Sequence, residues 1–179
     1  MIEQPELAGT NIVGWTLNHF GHAAQLRGDY QRAAQLHQAS LTVFQTCSDQ
    51  HFGLPWAYQS LGETALGLGN LDEAAQWLAQ GLVISRTLSD QTSIACCLAG
   101  MGSTAALDEE PERAARLWGA AEELRQKIGV RPPPASRATY ERALAVARAQ
   151  LGEAAFTAAW AAGRAMTLEQ AITEALAPS

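Results

Sequence analysis

Long apolar runs, paired metal-binding cysteines, phosphate-binding loops and clusters of basic residues are all missing from this sequence. No stretch approaches the roughly 20 apolar residues that a membrane span needs. The opening MIEQPELAGTNIVGW lacks the basic start and apolar run of a signal peptide. A reduced, cytoplasmic, soluble protein is therefore expected. There are three cysteines, Cys47, Cys96 and Cys97. An odd count with two adjacent builds no disulfide framework, and with no CxxC spacing a zinc site is not expected. Cys96 and Cys97 are expected to pack as small apolar residues. The formal net charge of −6 argues against a nucleic-acid surface, which gathers Lys and Arg to displace phosphate counterions. It also argues against anionic membranes. No GxxxxGK[ST] loop occurs. No spacing assembles a nucleophile with a base or two carboxylates, so no catalytic residue and no cofactor is expected. Strand signals are absent too, because β-branched residues are scattered and do not alternate.

What the chain does have is apolar substance and a repeated phrase. Its residues are 47% hydrophobic and 17% charged, enough to bury a core. GDYQRAAQLH at 28–37 returns as GNLDEAAQWL at 69–78 and as EEPERAARLW at 109–118. Upstream of each lies a helix-like segment, WTLNHFGHAAQLRG, WAYQSLGETALGLG and CCLAGMGSTAALDE. Trp15 and Trp56 are 41 apart, as are Gly21 and Gly62, and Gly62 and Gly102 are 40 apart. SDQ at 48–50 recurs at 89–91. Each copy is therefore predicted to be helix A, a tight turn and helix B packed antiparallel. Helix A of the second copy puts Tyr58, Leu61, Ala65 and Leu68 at helical spacing, and helix B does the same with Leu71, Ala74, Ala75, Leu78 and Leu82. Gly21, Gly62 and Gly102 each precede an alanine by twelve residues, Ala33, Ala74 and Ala114. A close approach of Gly to Ala in each hairpin is expected. The Gly-Asp and Gly-Asn turns are expected to end one helix and cap the next, and Pro111 to open the last helix B.

Leu61–Gly62 with Ala65, Ala74 and Leu78 resembles the tetratricopeptide pattern, and Phe20–Gly21…Ala33 and Met101–Gly102…Ala114 are similar. That family's usual period is about 34 residues, and here the extra length falls between helix B and the next helix A. The resemblance implies an all-α, α-α superhelix: a solenoid of three helical hairpins over residues 8–129 (8–47, 48–88 and 89–129). Long repeats with SDQ-type starts resemble the C-terminal arrays of large bacterial signalling ATPases, including LuxR-type and other STAND-type regulators. The tail 115–172 resembles the segment that closes such arrays. This implies a regulatory piece of such a protein, without its ATPase or DNA-binding part.

Residues 130–179 are expected to form capping helices. Gly129 ends helix B of the third copy, and RPPP at 131–134 forbids its continuation. A helix restarts near Pro134 and runs to about Leu151, with Tyr140, Leu144, Ala147 and Leu151 on one face. Gly152 breaks it, and Ala154–Ala165 follows with Phe156 and Trp160. Thr167 and Gln170 form a capping-box pair for a last helix bearing Leu168, Ala171, Ile172 and Leu176. Trp160 is read as a core anchor.

In a tetratricopeptide superhelix the A helices line the inner wall. The resemblance therefore points inward Trp15, Asn18, His22 and Gln25 of the first copy, Trp56, Gln59, Glu63 and Leu66 of the second, and Cys96, Ala99, Ser103 and Ala106 of the third. The first two rows are polar with an aromatic edge, as a peptide groove would be; ordinary solvated helix faces are the alternative. Trp15, Asn18, His22, Gln25, Trp56, Gln59, Glu63, Leu66 and Ser103 are the candidate binding residues. His19 and His22 are spaced for a metal, but only Glu63 could join them, so no metal site is expected. His37 holds a place taken by Leu78 and Trp118 in the other copies and is read as a buried structural histidine. The expected function is a non-catalytic interaction module that binds a protein, a peptide or an effector on its concave face. Self-association as a homodimer is the alternative, with a small-molecule effector sensor behind it. An enzyme has only the silence of the fold in its favour.

Overall fold

Three tight turns carry the repeat. At Gly28 and Gly69 the backbone swings to φ of 78° and 83°, a left-handed conformation that glycine enters without a steric cost. These turns join α1 (Pro5–Leu26) to α2 (Tyr30–Thr46) and α3 (Leu54–Leu68) to α4 (Leu71–Thr87). In the third copy the same position is Glu109, also left-handed at φ 62°. There Pro111 opens α6 (Pro111–Ile128) behind α5 (Gln91–Leu107). Asp29 caps α2, its Oδ1 accepting the Arg32 N–H at 3.0 Å. Asp90 caps α5 through the Ser93 N–H at 3.1 Å. Asn70, expected to cap α4 in the same way, makes no capping bond; its amide donates to Glu73 Oε2 at 3.2 Å instead.

This computed structural model describes residues 5–46 and 53–178, and among them it contains helices and no strand. Cys47 and the SDQ at 48–50 lie outside the described residues. The hairpins stack in chain order, α2 packing on α3 and α4 on α5. Ala33, Ala74 and Ala114 are fully buried, but the atoms nearest to each glycine belong to the residue one helical turn further on. A Cβ on Gly21 would stand 2.3 Å from the His37 ring, one on Gly62 2.5 Å from Leu78 Cγ, and one on Gly102 2.8 Å from the Trp118 ring. The expected Gly–Ala approach holds in the second and third copies, where the same Cβ would stand 3.3 Å from the Ala74 carbonyl oxygen and 3.2 Å from that of Ala114, and each glycine also clears space for a large side chain four residues beyond the alanine, on the same face of helix B.

Gly129, left-handed at φ 71°, ends α6. The prolines run on to a 3-10 turn at Pro134–Ser136, then α7 (Arg137–Leu151), α8 (Glu153–Arg164) and α9 (Leu168–Leu176). α7 lies across α5 and reaches α3, where Arg142 donates to the Leu66 carbonyl at 3.1 Å. The 3-10 turn also touches α1. α8 packs on α6 backbone to backbone. A Cβ on Gly163 would fall 1.9 Å from the Arg116 carbonyl oxygen, and one on Gly119 2.2 Å from that of Trp160. The capping box of α9 forms as predicted, with Gln170 N–H on Thr167 Oγ1 at 3.2 Å and Thr167 N–H on Gln170 Oε1 at 2.8 Å. Ala171 and Ile172 are buried, but Leu176 is exposed and Ala175 takes the inner place, as the helical period from Ala171 requires. Arg113 fastens the end of α9 by donating to the carbonyls of Glu174, Ala175 and Ala177 at 3.0, 3.2 and 2.6 Å.

Two apolar cores result. The larger runs from Ala65 through Leu78, Leu98, Trp118 and Phe156 to Ala175, with Trp160 partly buried against it. The smaller comprises Leu41, Phe44, Leu54, Ala57 and Leu61, with Trp15 against it.

Candidate functional site

The inner faces of α1, α3 and α5 carry residues three and four apart, so each presents one stripe. The structure gives this stripe a different setting from the open groove expected of it. Asn18, Gln25, Gln59, Glu63, Leu66 and Ser103 are buried, and Trp15, His22 and Trp56 are half-buried. The reason is lateral closure. Gln25 Nε2 donates to Thr64 Oγ1 at 2.9 Å, and His22 Nε2 meets the Ser60 hydroxyl at 2.9 Å. The Trp15 and Trp56 rings stand edge to face with centroids 6.1 Å apart, and α7 with the proline segment crosses the same side. His19 is exposed, its Nδ1–H donating to the Trp15 carbonyl at 2.7 Å.

The seam is polar at the first hairpin. His37, fully buried, donates from Nδ1 to Asn18 Oδ1 at 2.8 Å, which sets its tautomer. Its ring lies 5.2 Å from that of His22. Burial, then the neighbouring His22, lowers the His37 pKa to about 3. Burial, then His19, lowers that of His22 to about 4. Both imidazoles are therefore neutral near pH 7.

Further along, the seam opens into a cavity of about 530 Å³, within the usual range of ligand pockets, roughly 300–1,000 Å³. Leu66, Ala99, Gly100 and Ser103 line it on the repeat side, and Pro132–Pro134, Tyr140 and Leu144 close it from the cap. Two charged residues form its inner surface, Glu63 at 4% and Arg125 at 8% exposure. Glu63 Oε1 accepts from Gln59 Nε2 at 3.0 Å, but its Oε2 has no hydrogen-bond partner, and neither has Arg125 Nε. Burial raises the Glu63 carboxyl to about 7, against the smaller lowering effects of Gln59, Ser136 and Arg125. Burial also pushes the Cys96 thiol beside them up to about 11, so it is no nucleophile near neutrality. Cys96 and Cys97 both pack in the interior as expected. Among the described residues no group of three His, Cys, Asp or Glu could hold a metal ion.

Of the nine candidate residues, Glu63, Leu66 and Ser103 thus meet at one cavity, His22, Gln25 and the two tryptophans join α1 to α3, Asn18 holds His37 of α2, and Gln59 holds Glu63 on its own helix. Arg125 was missed. It sits in the charged stretch EELRQK, two residues after the acidic pair Glu122–Glu123. The available signal was its place four residues after Ala121 and seven after Trp118, in line with the buried stripe of α6.

No curated protein matches this chain, and no solved structure does. No helix among the described residues is long and apolar enough to cross a membrane. The tetratricopeptide repeat family model matches residues 13–87, the stretch that holds most of the first two hairpins. With the third hairpin continuing the same register through α5 and α6, the chain carries a tetratricopeptide-like α-α array.

Proposed function

We propose that this chain is a non-catalytic, regulatory interaction module that docks an amphipathic helix of a partner protein on the outer face of α1. Tetratricopeptide repeats generally mediate contacts between proteins. The observation that carries the choice of face is a contrast in register. Phe20, Leu61 and Met101 hold one position in three successive A helices. Leu61 and Met101 are 5% and 9% exposed, whereas Phe20 is 61% exposed. Val13 is likewise exposed where Leu54 and Ile94 are buried, and Ile12 adds to the same open patch. In a stacked array each repeat buries its face on a neighbour. The α1 face therefore carries the side chains of a repeat interface in the open, and such apolar patches mark contact sites. Its complement is a helix with a branched and aromatic stripe like Leu41 and Phe44, which α2 offers to α3. The likeness of residues 115–172 to the close of signalling-ATPase arrays supports a regulatory, cytoplasmic setting. The net charge of −6 supports a protein rather than a nucleic acid as partner.

The test is fluorescence anisotropy with a labelled peptide of residues 30–46, the α2 sequence, added in trans. Saturable binding to the wild type, lost in the double variant Val13→Asp/Phe20→Asp with unchanged circular dichroism, is expected. No saturable binding to the wild type overturns the assignment. Sedimentation velocity on both proteins identifies the occupant: a concentration-dependent dimer that the double variant abolishes assigns the face to a second copy and replaces the partner helix.

A further inference from the structure

The cavity beneath the proline segment is built for something other than a helix. It shares no lining residue with the exposed face of α1, its open surface is mostly apolar, and Glu63 and Arg125 are the buried charged residues of its lining. We propose that it binds a small zwitterion on an apolar body, the chemistry of an apolar amino acid, with its ammonium on Glu63 and its carboxylate on Arg125.

The assignment follows from which bonds are unmade. Glu63 Oε2 is a buried acceptor without a donor, and Arg125 Nε is a buried donor without an acceptor. Buried polar groups are nearly always satisfied, and exceptions call for an explanation. A wholly apolar ligand would leave both open. A simple anion would satisfy Arg125 but leave Glu63 Oε2 without a partner. A simple cation would leave Arg125 Nε so in its turn. One molecule with both charges at one end answers both, and its body meets Leu66, Pro133 and Leu144. The mouth does not select for net charge, because Arg131 and Arg137 there are balanced by Glu122 and Glu141.

The ionisation of Glu63 gives the binding a signature. Its carboxyl is protonated below about pH 7, and an ammonium requires the carboxylate. Binding at pH 6 therefore releases a proton, which a ligand merely filling the space would not do.

Isothermal titration calorimetry on the full chain, at pH 6 in two buffers of different ionisation enthalpy, tests this with three matched probes: L-phenylalanine, phenethylamine and hydrocinnamate. Saturable binding of phenylalanine with release of close to one proton is expected, the single-charge probes binding about tenfold to a hundredfold more weakly, the cost of a lost charge-assisted hydrogen bond. Glu63→Gln should abolish the proton release and most of the preference over hydrocinnamate. Leu144→Trp, which fills the cavity from a half-buried site on α7, should abolish binding with unchanged circular dichroism. The proposal is overturned by equal binding of all three probes, by no saturable heat below about 10 mM phenylalanine, a generous limit for a ligand of that size, or by undiminished binding to the Leu144→Trp variant.

Discussion

Glu63, His22 and His37 bury three titratable groups in one seam, and their burial acts in opposite directions on stability. The unfolded chain takes protons on both histidines near pH 6.5, whereas the folded chain refuses them until about 4 and 3. Their contribution is complete above pH 6.5 and falls away as the pH drops towards those values. Glu63 has the reverse sign. The folded carboxyl keeps its proton up to about 7 and the unfolded one loses it near 4.5, so its contribution is complete below 4.5 and is lost as the pH rises through 7. Two histidines outweigh one carboxyl between 4.5 and 6.5, and these groups together place the stability maximum near pH 6.5. Urea midpoints measured from pH 4 to pH 9 should show it, and Glu63→Gln should remove the decline on the alkaline side while leaving the acid limb in place. At this scale the sequence was partly legible. The burial of His37 could be read from its alignment with Leu78 and Trp118. What faces Gly21, Gly62 and Gly102 could not, because a constant spacing gives the side of a helix but not which of two stacked residues is large enough to reach across.

Among the elements, the pair α6 and α8 is the most demanding. Gly119 and Gly163 each face a carbonyl of the other helix, so the main chains meet with no side chain between them. A methyl group at Gly163 has only backbone to displace. Gly163→Ala is therefore expected to cost at least the 1–3 kcal/mol, roughly, of overpacking a core. It should be read as a lower urea midpoint with an unchanged slope. Exposed Ala161→Gly on the same helix should lose only about 1 kcal/mol from helix propensity. Helix limits were legible where Gly28, Gly69, Gly129, Gly152, Pro111 and the Thr167–Gln170 pair supply local signals with local causes, but not at the start of α5, which takes in Gln91–Ala95 of the stretch expected to connect α4 to it. The crossing of α8 on α6, the reach of Arg113 to the end of α9 and the role of Arg125 were not. They join residues far apart in sequence and belong to no repeat, so no periodicity announces them.

At the scale of the whole molecule, the two cores are unequal. The hairpin of α1 and α2 leans on the smaller cluster and on a seam of histidine, asparagine and glutamine, while α3 to α9 share the larger one. In repeat architectures stability is a sum of units and their neighbours' interfaces, and segments with fewer apolar contacts open first. Amide hydrogen exchange should show α1 and α2 opening at a lower free energy than α5 and α6. Equal protection across all six helices would contradict this division. The succession of hairpins was legible from three copies of one phrase. The closure of the inner side was not, because the proline segment and α7 bear no likeness to the repeats they cover.

Helical arrays ordinarily flex like springs, adding small rotations from one unit to the next. In this chain the turn at Pro134–Ser136 touches α1 as well as leading into α7, so the first coil is buckled to the last part of the chain. A change of pitch would have to part that contact, and the cavity lined by Ser136 lies beside it.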